Sequence, residues 1–218
     1  MWCVPKLNEH YIERMEDILR LYSKHLDPTY PVLCMDEKSL QLFEDLRKPI
    51  PPKPGRIARK DYEYVRRGTA NIFCAIQPLT GKQLLKVTQR RTRLDFAEFI
   101  NDLSRAYPKA RKIHLVMDNL NTHNVESLIL RYGNRKGKKL ARRFVLHYTP
   151  CHASWLNQAE IQIGCLSRAI LVKRRYSCID QLKINVTAYQ KRVTRTPVPI
   201  SWSFTVGKAR KTFKYNEN

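Results

Sequence analysis

The chain has 218 residues, 43% of them hydrophobic, which is enough for one sizeable core, short for two full domains, and too apolar for a disordered chain. Its 41 Lys and Arg outnumber 19 Asp and Glu to give a formal charge of +22, the balance of a folded domain that faces a polyanion, most often nucleic acid. A membrane partner is disfavoured, because no apolar run reaches spanning length and neither end carries an amphipathic basic helix.

The start, Met1-Trp-Cys-Val-Pro-Lys6, has no signal-peptide core. The cysteines at 3, 34, 74, 151, 165 and 178 form no Cys-x-x-Cys pair and read as reduced, buried thiols of a cytosolic protein. Residues 8–25 set Tyr11, Met15, Ile18, Leu19 and Tyr22 on one helical stripe, which predicts a packing helix. After a turn at Asp27–Pro31, the run Pro31-Val-Leu-Cys-Met-Asp36 reads as a buried strand that stops on a carboxylate. Period-two alternation sends the neighbouring Glu37 to the opposite face, so only one of the two acids can look into a common site. Residues 47–60 hold Pro49, Pro51, Pro52 and Pro54 among six Lys and Arg, and predict a basic, extended loop able to touch phosphates.

Ala70–Gln77, a turn at Gly81 and Lys82–Gln89 predict an antiparallel hairpin. Apolar positions 96, 99, 100 and 103 predict a helix over 95–107, stopped by Pro108. Lys112-Ile-His-Leu-Val-Met-Asp-Asn-Leu-Asn121 then repeats the earlier grammar: a short apolar run ending on Asp118. Two strands that each deliver a carboxylate to one end of a sheet, where open α/β folds build their sites, suggest a seat for a hard divalent cation. Glu126–Tyr132 predicts a short helix, and Arg131–Arg143, with seven Lys/Arg and no acid, a basic loop. Phe144–Thr149 is a further strand. Over 154–172, Trp155, Ala159, Ile163, Leu166 and Ile170 form the stripe of a helix whose border carries Glu160, the one acid between Glu126 and Asp180. A border residue can look into a cleft beside the core, which makes Glu160 the candidate third ligand. A last helix is expected over 180–193, followed by an aromatic and cationic tail. His147, Cys151 and His152 lack a second pair at zinc spacing.

The blocks Cys34-Met-Asp-Glu-Lys-Ser39, Asp61–Asn71, His114-Leu-Val-Met-Asp-Asn-Leu-Asn-Thr-His123 and His147–Glu160 together resemble the catalytic domain of mariner-related bacterial insertion-sequence transposases. The resemblance implies an α/β, ribonuclease-H-like fold with a mixed central sheet flanked by helices. It divides the chain into an N-terminal packing helix (1–30), a DDE catalytic domain (31–195) and a basic C-terminal tail (196–218). It implies that Asp36, Asp118 and Glu160 are the catalytic triad and the ligands of two Mg²⁺ (or Mn²⁺) ions, Asp36 bridging them, for DNA cleavage and strand transfer at insertion-sequence ends. Asn119, His123, His152 and Asn157 accompany the triad. They are expected to orient ligands or meet phosphate, or, more plainly, to cap a turn, start a helix and satisfy local hydrogen bonds. The implied partners are transposon-end and target DNA, a second copy of the chain on DNA, and a separately encoded helix-turn-helix protein; the implied place is the bacterial cytoplasm at the nucleoid. The alternatives are a truncated or inactive remnant that only binds DNA and, against the grain of these blocks, a hydrolase of RNA–DNA hybrids.

Overall fold

The computed structural model describes residues 7–172 and 174–215. The leader reading of Met1–Lys6, and Cys3 with it, lies outside the described residues. In chain order the elements are α1 (Glu9–Tyr22), β1 (Val32–Asp45), β2 (Tyr64–Gln77), β3 (Lys82–Thr88), α2 (Arg93–Ala106), β4 (Ile113–Met117), α3 (Val125–Ala141), β5 (Phe144–Tyr148), α4 (Ala159–Leu166), α5 (Ile179–Arg195) and α6 (Val206–Phe213). The strands form one five-stranded sheet in the order β3-β2-β1-β4-β5. β1, β2 and β3 pair antiparallel, while β4 runs parallel to both β1 and β5.

Strand periodicity sorts the core into two faces. Leu33, Met35, Phe73, Ala75, Leu115 and Met117 point to one side, where α2 supplies Phe96, Phe99, Ile100 and Leu103 and α3 supplies Leu128. The opposite face is shared. Cys34, Ile76 and Val116 pack with Met15, Ile18 and Leu19 of α1, and Ile72, Cys74 and Leu85 pack with Leu166, Leu182 and Val186 from α4 and α5. The sheet is therefore buried on both sides, which is why its central strands read as continuous apolar runs.

Four sequence expectations change. First, β1 does not stop at Asp36. It continues to Asp45 because β2 pairs with it all the way, from Cys34↔Ile76 to Asp45↔Tyr64, with a register shift between Gln41 and Phe43. Second, the basic run after Tyr132 is helical rather than a loop. Lys, Arg, Leu and Ala are good helix formers, and the only break is at Gly133 (φ +76°), where the helix kinks. A Cβ at Gly137 would lie 2.7 Å from the Ile129 backbone, so glycine lets the two halves approach. Third, the single helix expected over 154–172 is a 3₁₀ turn at Ser154–Leu156, then α4, then a π-helical turn at Ser167–Leu171. Fourth, of the described cysteines only Cys34 and Cys74 are buried; Cys165 is half-buried, and Cys151 and Cys178 are exposed, in the turns that precede helices.

The C-terminal segment folds back onto the body. Gly81 has φ +72°, and a Cβ there would lie 2.5 Å from the Val198 backbone, so the turn between β2 and β3 accepts the returning chain closely. Ile200 N donates to Pro78 O at 2.9 Å. Arg210 of α6 donates to Glu16 of α1 at 2.9 and 3.1 Å, and Glu16 is only 5% exposed. The half-exposed Arg210 guanidinium holds the Glu16 carboxyl below the usual carboxylate range.

Candidate active site

The register of β1 against β4 places the first two acids. Cys34 lies opposite Val116 in the parallel pair. Carried two residues on, the same register sets Asp36 beside Asp118, just past the end of β4. Adjacent strands lie about 4.8 Å apart, and period two points the Asp36 side chain to the face of Cys34. The third acid, Glu160, is in the first turn of α4 and is exposed. Asn157 holds that turn in place. Its Nδ2 donates to Met35 O at 2.8 Å, and its Oδ1 accepts from Ala159 N at 3.2 Å. Tyr22 of α1 adds a hydroxyl donated to Leu156 O at 2.7 Å. Gln162, two residues after Glu160, is buried and accepts from Gln83 Nε2 at 2.8 Å, which ties α4 to β3.

Asp36 registers the convergence electrostatically. Burial pushes its pKa up to about 7; an amide hydrogen bond from Glu37 (2.7 Å) resists, and the nearby Glu37, Asp118 and Glu160 carboxyls add to the rise. Among the described residues Asp36 forms no ion pair. Asp36 feels the charge of both other carboxyls, but the three side chains do not form a closed cage: among the described residues no three His, Cys, Asp or Glu groups are set to hold a metal ion.

Asp118 is held from behind. His123 Nδ1 is 2.7 Å from Asp118 Oδ1, and its Nε2 is 2.7 Å from Glu37 Oε1. Glu37 faces away from Asp36, as alternation requires, into the layer beneath α2, where the His123 ring stacks on Phe96 at 4.8 Å. With a carboxyl on each ring nitrogen, both nitrogens must donate, which requires the imidazolium. Burial opposes that charge, yet the hydrogen bonds to Asp118 and Glu37 outweigh it and push the His123 pKa up to about 9. The same hydrogen bond lowers the pKa of Asp118 and keeps it ionised. Tyr148 donates its hydroxyl to His123 O at 2.8 Å and fixes the loop between β4 and α3.

Of the four accompanying residues, then, the structure brings two to the acids: His123, bonded to Asp118, and Asn157, bonded to the strand residue before Asp36. Asn119 and His152 are exposed, the latter with a left-handed backbone at φ +60°. Sequence reasoning treated Glu37 only as a rival to Asp36 and so missed its role beneath the site; its spacing from Asp36 carried the signal. It also missed a chain of polar groups away from the acids, in which Asp17 Oδ2 accepts from His147 Nδ1 at 2.6 Å and His147 Nε2 meets His114 Nδ1 at 2.9 Å. Within the basic run, Arg135, Lys136, Lys138 and Lys139 are exposed. Arg143 instead turns inward to cap the end of α2 through Ser104 O and Tyr107 O at 2.8 and 2.7 Å.

A mixed five-stranded sheet with helices on both faces, and acids on β1, after β4 and on α4, defines a ribonuclease-H-like fold. Residues 31–183 match the family described as DDE superfamily endonuclease, and the chain belongs to that family. The family expected from the sequence blocks is thereby met at the level of the DDE superfamily. No curated protein matched the chain. Among solved structures, the chain is similar to the Mos1 mariner paired-end complex with Mn (15% identity, 88% of this chain and 58% of that one, TM-score 0.54). It is also similar to a pre-cleavage Mos1 transpososome (15%, 88% and 58%, TM-score 0.55) and to the Mos1 strand transfer complex (14%, 88% and 57%, TM-score 0.56). At such identities the likeness speaks to the fold, and the chain spans 57–58% of the length of these proteins. No helix among the described residues is long and apolar enough to cross a membrane.

Proposed function

We propose that the chain is the catalytic part of a mariner-related transposase, cutting DNA at the ends of an insertion sequence and joining those ends to target DNA with divalent metal ions. The observation that carries this reading is Asp36: a half-buried carboxyl that feels two further acids, Asp118 and Glu160, and has no cation partner among the described residues. Three carboxylates make an oxygen-only donor set, which fits Mg²⁺ or Mn²⁺ and not the softer metals. Asp36, Asp118 and Glu160 would hold such ions. When bound, such a pair activates the attacking oxygen and stabilises the leaving one at a scissile phosphodiester.

The rest is the chain's own work. Half-burial raises the pKa of Asp36, three other carboxyls beside it add to the rise, and a cation held there would offset that crowding of negative charge. His123, charged and backed by Glu37, keeps Asp118 ionised and pins one of its oxygens, leaving the other to face the cleft. Asn157 fixes the distance between α4 and β1, and so the reach of Glu160. The cationic surface draws the DNA backbone in by releasing its counterions, so binding is expected to weaken steeply with salt. Two DNA ends call for two active sites, hence a second copy of the chain on DNA. Recognition of the terminal repeats falls to helix-turn-helix modules, and the setting is the bacterial nucleoid.

The test is cleavage of DNA that carries the inverted repeats flanking the gene, with Mg²⁺ or Mn²⁺. Nicking by the wild type and its loss in Asp36→Asn, Asp118→Asn and Glu160→Gln are expected. No nicking by the wild type, with salt-sensitive binding unchanged in Asp118→Ala, would leave a DNA-binding remnant instead. Preferential cutting of an RNA–DNA hybrid would move the reading to a hybrid hydrolase.

A further inference from the structure

Beside the acids lies a cleft of about 260 Å³ that the proposed reaction leaves unused, bounded by Lys38, Leu40 and Phe43 of β1 and by Leu171, Arg174 and Tyr176 beyond α4. It begins next to the site. Lys38 and Leu40 follow Asp36 at period two on the same face of β1, so Lys38 is about 7 Å along the strand from Asp36. The far wall is the continuation of the helix that carries Glu160. The cleft opens where β1 shifts register between Gln41 and Phe43 and where the helix after α4 widens into a π turn.

Its walls are fixed before any ligand arrives. Phe43 N donates to Tyr176 O at 2.8 Å, and the Phe43 ring rests edge-on against Tyr64 at 4.5 Å. The Tyr176 hydroxyl is spent on Ile170 O at 2.8 Å and its ring is buried in the core, which makes it the floor of the cleft and leaves Leu40 and Phe43, both half-buried, as the accessible apolar wall. The lip is cationic. Lys38 is exposed and has no acidic partner among the described residues, and Arg174 is exposed and bonds only the amide oxygen of Asn185 there. The neighbouring Arg175, by contrast, is neutralised by Asp45 at 2.6 Å. An apolar slot edged by two uncompensated cations suits a ligand with a flat, weakly polar body and an anion attached to one side. Its volume lies below the range of about 300–1,000 Å³ that drug-sized ligands occupy, and fits a single base.

We propose that this cleft receives one unstacked nucleotide of the DNA strand whose phosphate lies at Asp36, Asp118 and Glu160, the base against Phe43 and Leu40 and its phosphate on Lys38 and Arg174. The proposal rests on the DNA reading above and adds the path by which the strand leaves the site. Base stacking on a protein platform tolerates any sequence and changes affinity on the order of tenfold per base.

The test uses the full chain in EDTA, so that no cutting intervenes. A labelled duplex carries a single-stranded overhang of four thymidines, or the same overhang made of abasic residues with identical charge. Wild type is expected to bind the thymidine overhang on the order of tenfold more tightly. Leu40→Trp, which fills the cleft, is expected to abolish that preference while leaving affinity for the abasic duplex unchanged. Lys38→Glu is expected to weaken both duplexes alike and flatten the salt dependence. With 5-iodouracil in the overhang, ultraviolet crosslinks on the wild-type chain should map to Phe43, a readout that stands if Leu40→Trp fails to fold. Equal, salt-sensitive affinity for the two overhangs, or crosslinks confined to other elements, would overturn the cleft while leaving the DNA reading intact. No salt-sensitive binding to either duplex would remove both.

Discussion

Replacing His123 with alanine tests how the site is held together. Its side chain is 0% exposed and bridges Glu37, 2% exposed, to Asp118, 50% exposed. The Asp118 arm is half in solvent, so its contribution is discounted for screening. The Glu37 arm is not. Removing one partner of a buried ionic pair costs about 3–5 kcal/mol, because the other is left buried and uncompensated. For a chain of this size each kcal/mol shifts the melting temperature by about 2–4 °C, so His123→Ala should melt about 6–20 °C lower. The sign with pH follows from the folded pKa, raised to about 9 from the ordinary histidine value of 6.5. The stabilisation is fully present below about pH 6.5 and is lost as pH rises through 9. Thermal melts of wild type and His123→Ala should therefore differ most near pH 6 and converge above pH 9. Replacing both partners, Glu37→Leu with His123→Leu, should cost less than the sum of the two single changes, since neither charge is then stranded. A His123→Ala melting temperature within about 2 °C of wild type at pH 6 would refute the bridge.

Three further outcomes follow from particular contacts. Asn157→Ala leaves the buried Met35 carbonyl without its donor and should cost about 1–3 kcal/mol in urea denaturation, with a larger proportional loss of cleavage than of DNA affinity, because the seat of Glu160 loosens. Gly81→Ala forces a side chain into φ +72° and to 2.5 Å from Val198; it should destabilise by more than about 1 kcal/mol and expose the segment after Thr196 to protease first. The Arg210 guanidinium lowers the Glu16 pKa in the folded chain below the ordinary glutamate value of 4.5, so the anchoring of α6 on α1 is fully present above that value and lost as pH falls through the depressed one. Hydrogen exchange in α6 should accelerate as pH drops below about 4 once the intrinsic pH dependence is removed, and Glu16→Gln should show fast α6 exchange already at neutral pH.

Much of the fold was legible because burial on both faces writes long apolar runs into the central strands, and because Pro108 and the Gly81 turn punctuate the chain. The site was legible for a related reason: an acid directly after such a run, at Asp36 and at Asp118, is costly unless it serves something. What was not legible depends on pairing. Nothing in Glu37–Asp45 alone shows that β1 continues, since that depends on β2 running alongside it to Tyr64. The helical nature of 134–141 was hidden by its charge, and the Arg143 cap by the cations around it. The His123–Glu37 bridge joins residues 86 positions apart and follows from the sheet register, which no local pattern contains.

The central claim is that Asp36, Asp118 and Glu160 grip divalent cations together, and calorimetric titration of Mn²⁺ into the chain with uncleavable DNA bound tests it most directly. Two bound ions are expected for the wild type. Asp36→Asn should weaken both, and Asp118→Asn and Glu160→Gln one each, with thermal melts showing each variant folded. Equal Mn²⁺ binding by the wild type and all three folded variants would contradict the account.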